Sequence, residues 1–201
     1  MADTDLLRVL ERARELGFLG PGPVAAHIEQ ARAYLAALPA GGTVLDLGTG
    51  GGVPGLPLAT WRSDLRWVLI DAMAKRIAFV RWAVEDLGVH AEVVEGRAEE
   101  LAAETGWRAG ADAVVARSLA APAVAAEYAA PLLRVGGVAV IAEPPGGAPE
   151  RWPAAGLAQL GMRRGRVLAT EGTTLQLLEQ VEPCPAKFPR RTGVAAKRPL
   201  F

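Results

Sequence analysis

The stretch Val44-Leu45-Asp46-Leu47-Gly48-Thr49-Gly50-Gly51-Gly52-Val53-Pro54-Gly55-Leu56-Pro57 constrains the fold more than any other part of the chain. Its apolar start reads as a buried strand, because Val44, Leu45 and Leu47 run into glycines instead of continuing at helical spacing. The glycines permit positive φ and let backbone amides approach a ligand with no Cβ in the way. Pro54 and Pro57 suit the first turn of a following helix, where a missing N–H leaves no bond unmade. The reading is strand, glycine loop, helix.

Gly50-x-Gly52-x-x-Gly55 matches the dinucleotide fingerprint in form. Asp46, at the carboxyl end of the strand, would repel a pyrophosphate and suits a cation better. S-adenosylmethionine carries an ammonium and a sulfonium, and an acidic strand end beside open backbone is the chemistry it needs. The plainer alternative is a glycine turn that only packs a helix on a sheet.

Strand and helix patterns alternate from there. Trp67-Val68-Leu69-Ile70 predicts a second strand ending at Asp71, close to the ~20-residue interval at which a carboxylate reaches a ribose in doubly wound folds. Asp71 could instead cap the helix that begins near Ala74. Lys75 to Leu87 predicts an amphipathic helix with Ile77, Val80, Val84 and Leu87 inward, stopped by Gly88. Ala91-Glu92-Val93-Val94 is a third strand, followed by Gly96-Arg97-Ala98-Glu99-Glu100 turning into a helix. Glu99 and Glu100 also fit as helix-start carboxylates favoured by the dipole. Ala113 to Ala116 gives a fourth strand with Arg117 at its carboxyl end, where ligands bind in open α/β sheets; its plainer role is a surface ion pair.

A helix is expected from about Ala123 to Leu133, strained near its end by Pro131, then a fifth strand over Val138 to Ile141. Glu143 to Gly147 reads as a turn. Arg166 to Ala169 and Thr174 to Leu178, joined through Glu171-Gly172, predict an antiparallel hairpin. Before the first strand lie two helical patterns, Leu6 to Leu16 closed by Gly17, and Ala26 to Leu38. His27, in the second, reads as an ordinary helix histidine. The architecture is α/β and Rossmann-like: a mostly parallel sheet ending in an antiparallel hairpin. An N-terminal helical extension spans 1–42, the main domain 43–186 and a basic tail 187–201.

The 201 residues suffice for one such domain with a sizeable core. The formal net charge is zero, so no global basic field announces nucleic acid. The charge is unevenly placed, however: Lys187, Arg190, Arg191, Lys197 and Arg198 have no acidic residue among them, leaving 17 basic and 22 acidic groups elsewhere. Cys184 is the only cysteine, which excludes an intrachain disulfide or a cysteine-built metal site and makes a reducing, cytoplasmic setting the default. The start Met1-Ala2-Asp3-Thr4-Asp5 lacks the features of a signal peptide. The most apolar region, Leu119 to Ala142, is broken by Pro122, Glu127, Pro131, Arg134 and Gly136-Gly137 and predicts no membrane span. No metal is expected.

Leu45 to Ala59, Leu69-Ile70-Asp71-Ala72-Met73-Ala74-Lys75-Arg76-Ile77-Ala78-Phe79-Val80 and Gly96-Arg97-Ala98-Glu99-Glu100-Leu101, in this order, resemble the RsmG/GidB family. These are S-adenosylmethionine-dependent methyltransferases that make 7-methylguanosine in 16S ribosomal RNA. The extension Val53-Pro54-Gly55-Leu56-Pro57 is far more specific than a generic methyltransferase loop, and the tail 188–200 is similar to the ending of many members. The resemblance implies S-adenosylmethionine as cofactor and 16S ribosomal RNA or the small-subunit particle as partner. It implies that Gly48 and Val53 line the methionine and ribose side, that Asp71 holds the ribose, that Ala98 and Glu99 flank the adenine, and that Arg117 reaches the cofactor or incoming base. With Asp46, Gly50 and Gly52, these are the candidate site residues.

The chain departs from the family pattern at three places. His27 stands without the usual preceding arginine, Glu143-Pro144 replaces a Lys-Gly, and Leu175-Gln176 replaces an Arg-His. Each removes a phosphate or base contact.

The implied reaction needs no general base, because N7 of guanine presents a lone pair with no proton to remove. In-line positioning can then supply up to ~7–11 kcal/mol. The Asn/Asp-Pro-Pro-aromatic motif of exocyclic-amine methyltransferases is missing after the fourth strand, where Arg117-Ser118-Leu119 stands. The rival readings are a methyltransferase of the same fold acting on a small molecule or protein, and a non-catalytic cofactor- or RNA-binding relative.

Overall fold

The computed structural model describes residues 2–144, 147 and 149–201. Seven strands form one sheet in the order β3-β2-β1-β4-β5-β7-β6. The central strand β1 (Thr43–Leu47) lies between β2 (Arg66–Asp71) and β4 (Ala111–Ala116), parallel to both. Strands β3 (Ala91–Glu95) and β5 (Leu133–Glu143) extend the parallel sheet. The hairpin of β6 (Met162–Thr170) and β7 (Thr173–Gln180) closes it, with β7 antiparallel to β5. The strand order reverses between β1 and β4, and the crevice outside the carboxyl ends at such a point is where α/β sheets bind ligands.

Side chains alternate across the sheet with a period of two. Leu45, Leu47, Val68, Ile70, Val114, Ala116, Ala139 and Ile141 pack on one face in a cluster that includes residues of α5 (Ala98–Leu101), α6 (Pro122–Ala129) and α7 (Ala154–Ala158). Val44, Trp67, Ala113, Val115, Val140, Leu175 and Leu177 pack on the other face with Tyr34 and α3 (Gly55–Trp61). The N-terminal helices α1 (Ala2–Glu15) and α2 (Val24–Arg32) share a third cluster with α3 and α4 (Ala74–Leu87), so they buttress the helices flanking the glycine loop. A short 3-10 helix, Ala33–Ala37, follows α2. Phe79 is buried in that third cluster, beyond the inward set that the spacing of α4 predicts.

Both boundaries between α6 and β5 differ from expectation. Helix α6 ends at Ala129 and not near Leu133, while β5 starts at Leu133 and not Val138. Pro131 has no N–H to donate to the carbonyl four residues back, so the helical ladder stops there even though Ala130 keeps helical φ/ψ of −54 and −48. The chain then turns toward the sheet, where Ala109 N–H donates to Pro131 O and Ala111 N–H to Leu132 O. The turn expected over 143–147 includes Pro145 and Gly146, which lie outside the described residues.

The basic tail, unable to fold alone, is docked on the body. Phe188 is buried in the main cluster, and the Arg108 guanidinium donates to Phe188 O and Cys184 O, each at 2.7 Å. Arg190 Nε donates to Glu127 Oε1 at 2.7 Å. A last helical turn, α8 (Val194–Lys197), follows Gly193. Among the described residues, no helix is long and apolar enough to cross a membrane.

Candidate functional site: a crevice over the glycine loop

The loop after β1 is held by its own turn and by the neighbouring strand. Thr49 N–H donates to Ile70 O at 2.8 Å, at the end of β2, and Gly52 N–H donates to Thr49 O at 2.7 Å. Gly48 has φ +70, and a Cβ there would stand 2.7 Å from Leu119 Cδ1, so only glycine fits. Gly55 opens α3 directly against Asp46: its N–H donates to Asp46 Oδ2 at 3.0 Å. A Cβ on Gly55 would lie 2.4 Å from that same oxygen and 2.5 Å from Leu69 Cδ2. Gly55→Ala is therefore expected to cost about 1–3 kcal/mol through overpacking. A urea unfolding midpoint equal to that of the unaltered chain would contradict this close fit.

Two cavities meet over the loop. The larger, about 600 Å³, is lined by Gly48, Thr49, Gly50, Gly51 and Val53 from the loop, by Arg117 and Ser118 after β4, and by His27, Gln30 and Tyr34. Glu143, Arg151 and Thr173 form its far side. The smaller, about 380 Å³, is lined by Asp71, Ala98, Glu99, Leu119, Tyr128 and Ala196 among others. Gly48, Arg76, Ser118 and Ala120 belong to both, so the two are halves of one elongated crevice.

Seven of the nine candidate residues lie on this crevice: Gly48, Gly50, Val53 and Arg117 on the larger half, and Asp71, Ala98 and Glu99 on the smaller, which Gly48 also lines. Asp46 and Gly52 do not. Gly52, at φ +89, turns the chain beneath the surface, where a Cβ would meet Leu56 Cδ1 at 2.3 Å. Asp46 is fully buried and braces the loop from below through Gly55. The pleat turns its side chain toward α3, so it stands behind the crevice wall and not on it.

Asp46 is electrostatically loaded. Burial pushes its carboxyl up to about 6, against the lowering influence of Thr49, the Gly55 N–H and Arg117. The Thr49 hydroxyl is nearby, yet neither Thr49 Oγ1 nor Asp46 Oδ1 makes a hydrogen bond of ordinary geometry. A carboxyl raised in the folded chain holds its proton where the unfolded chain has already lost it. By itself this carboxyl lowers stability by about 3 kcal/mol as pH rises from about 4 to about 6 and adds no further slope above that window. Asp46→Asn is expected to remove this segment of the pH–stability curve, read from urea midpoints between pH 4 and about pH 7. A variant curve parallel to that of the unaltered chain would refute the loaded carboxyl.

Asp71 joins the loop to the second strand. Its Oδ2 accepts from Gly50 N–H at 3.0 Å, and its Oδ1 accepts from Met73 N–H at 2.9 Å. Each oxygen keeps a second lone pair, and the residue lines the smaller half. Asp71 thus orients the start of α4 and faces the crevice at once. Arg76, absent from the sequence-level candidates, reaches within 3.5 Å of Asp71 Oδ2, and its buried Nε has no partner. Its signal in the sequence is its place in the first turn of α4, just beyond Asp71.

Among the described residues, Arg117 pairs with no glutamate. Its guanidinium bonds to His27 Nδ1 at 2.9 Å and to Gln30 Oε1 at 3.2 Å, while His27 Nε2 faces Gly20 O at 3.2 Å. A carbonyl only accepts and a guanidinium only donates, so these partners match the His27 tautomer with its hydrogen on Nε2. Burial lowers Arg117, with Tyr34 and Asp46 opposing.

The departures from the family pattern fall in different surroundings. Glu143, raised by burial, is paired at 2.8 Å with Arg151, which is absent from the sequence-level candidates and offsets the charge reversal at the mouth. Leu175 is buried in the core, and Gln176 Nε2 donates to Gly165 O and Leu177 O. Those two residues serve the hairpin rather than the crevice. Among the described residues no His, Cys, Asp and Glu group could hold a metal ion.

Comparison with known proteins follows the same lines. A family model described as GidB, rRNA small subunit methyltransferase G, matches residues 24–143. The chain is 42% identical over 176 residues to the ribosomal RNA small subunit methyltransferase G of Rubrobacter xylanophilus, covering 81% of this chain and 67% of that protein. It is 43% identical over 167 residues to the protein of that name from Deinococcus radiodurans, covering 78% of this chain and 65% of the relative. The match thus spans about two-thirds of the length of these relatives. Among solved structures, a SAM-dependent methyltransferase from Aquifex aeolicus aligns with a TM-score of 0.60 at 18% identity, over 85% of this chain and 97% of that one. A point mutant of MtNAS in complex with S-adenosylmethionine also reaches 0.60, at 15% identity, over 89% of this chain and 73% of that one. Both are likenesses of fold.

Proposed function

The chain belongs to the rRNA small subunit methyltransferase G family, and from that premise we propose that it methylates N7 of a guanine in 16S ribosomal RNA with S-adenosylmethionine. The observation that carries this reading is Asp71. One carboxylate anchors the glycine loop through Gly50, turns the start of α4 through Met73, and lines the half-crevice that contains Ala98 and Glu99.

The residues fit the cofactor. A Cβ on Gly48 would crowd Leu119 across the crevice wall, the crevice has two joined halves, and the buried Asp46 behind the loop keeps one oxygen without a partner among the described residues. Gly48, Gly50 and Val53 would hold the methionine side, Asp71 would accept from the ribose hydroxyls, and Ala98 and Glu99 would flank the adenine. When bound, the cofactor supplies an electrophilic methyl group on a sulfonium.

What remains for the chain is positioning. Arg117 stands at the strand end on the larger half, steadied by His27 and Gln30, with further guanidinium N–H groups left for an acceptor base. Arg151 and Thr173, on the far side of the larger half, would contact the RNA. No group here has to remove a proton from N7. The partner would be 16S ribosomal RNA or the small-subunit particle, and the setting the cytoplasm.

Incubating the chain with methyl-labelled S-adenosylmethionine and small subunits from cells lacking this modification tests the proposal. Label recovered as 7-methylguanosine in 16S RNA supports it. Label confined to protein or small molecules, or no transfer at all, overturns it.

A further inference from the structure

The C-terminal segment reaches the nucleoside half of the crevice. Ala196, in α8, forms part of the wall of the cavity that also contains Asp71, Ala98 and Glu99. Gly193 N–H donates to Glu99 Oε1 at 3.2 Å, and Thr192 Oγ1 bonds to Glu100 Oε1 at 3.3 Å. Glu99 is buried, and it acts together with burial to raise the Tyr128 hydroxyl to about 12 at the same cavity. The segment is fixed upstream by Arg190 on Glu127 and by the buried Phe188 ring, and downstream by Phe201 against Gly156, where any Cβ would strike the ring.

We propose that residues 190–197 are the outer wall of the cofactor's adenosine site, holding the Glu99 carboxylate in place, so that the end of the chain helps set cofactor affinity. This rests on the function proposed above. The segment is a positioning element: Gly193 acts through Glu99, and Ala196 bounds the space. The rest of the crevice is lined by residues upstream of 174.

Two measurements on the full chain test this. In hydrogen–deuterium exchange with S-adenosylhomocysteine, peptides covering 190–198 should gain protection together with those covering 48–55 and 71–76. Calorimetry with S-adenosylhomocysteine and with adenosine should show Ala196→Trp weakening both by roughly tenfold, about 1.4 kcal/mol, at an unchanged melting midpoint. Protection that stops short of residue 190, or equal affinities in the variant, would overturn the inference while leaving the function standing. Failure of the unaltered chain to bind S-adenosylhomocysteine would overturn both.

Discussion

Asp71→Ala is expected to weaken binding of S-adenosylhomocysteine by about 30- to 1,000-fold, the equivalent of ~2–4 kcal/mol. The loss has two sources. The variant removes the acceptor for the ribose hydroxyls, and it frees Gly50 N–H and Met73 N–H, which the carboxylate holds at 3.0 and 2.9 Å. The loop and the start of α4 then lose their common anchor, so the methionine side is disturbed as well. Asp71→Asn keeps one acceptor oxygen and should fall between the two. Calorimetric titration reads all three, and an alanine variant that binds as well as the unaltered chain would remove Asp71 from the site.

Arg190→Ala is expected to cost about 3–5 kcal/mol of stability, because it strands the carboxylate of Glu127 in the protein interior. Glu127 is 1% exposed, and both Arg190 Nε and the Arg190 backbone N–H donate to its Oε1, at 2.7 and 3.3 Å. An exposed ion pair would be worth about 1 kcal/mol or less. The distinguishing control is the double variant Arg190→Ala with Glu127→Gln, which removes the charge together with its partner and should recover most of the loss. Urea denaturation of the three proteins decides the matter. A single variant within about 1 kcal/mol of the unaltered chain would make the contact superficial.

These two residues mark how far the sequence can be read. Asp71 is legible because its meaning is local: a strand of apolar residues ends on a carboxylate at a fixed interval after a glycine loop. The parallel units and the hairpin are legible for the same reason, since period-two runs and turn residues lie next to one another in the chain. Arg190 belongs to a run of basic residues with no acidic neighbour and reads as a solvated end. Its partner lies 63 positions away on α6, and nothing in the spacing of either residue points to the other.

The same limit shapes the site. Arg76, Tyr128, Arg151 and Ala196 reach the crevice from separate elements, and only the packing brings them together. Asp46 is legible in place but not in orientation. Its position at the strand end is plain in the sequence, but which face of the pleat it occupies depends on α3, whose first residue takes its oxygen. The end of α6 moves because Pro131 stops the helix outright instead of straining it, and the carbonyls of Pro131 and Leu132 accept from Ala109 and Ala111 instead.

The central claim is most directly measured by determining the structure with S-adenosylhomocysteine bound. Homocysteine is expected over Thr49, Gly50 and Val53, the ribose on Asp71, and the adenine between Ala98 and Glu99. Ligand lodged away from the glycine loop, or a nicotinamide coenzyme taking that crevice in its stead, would contradict it.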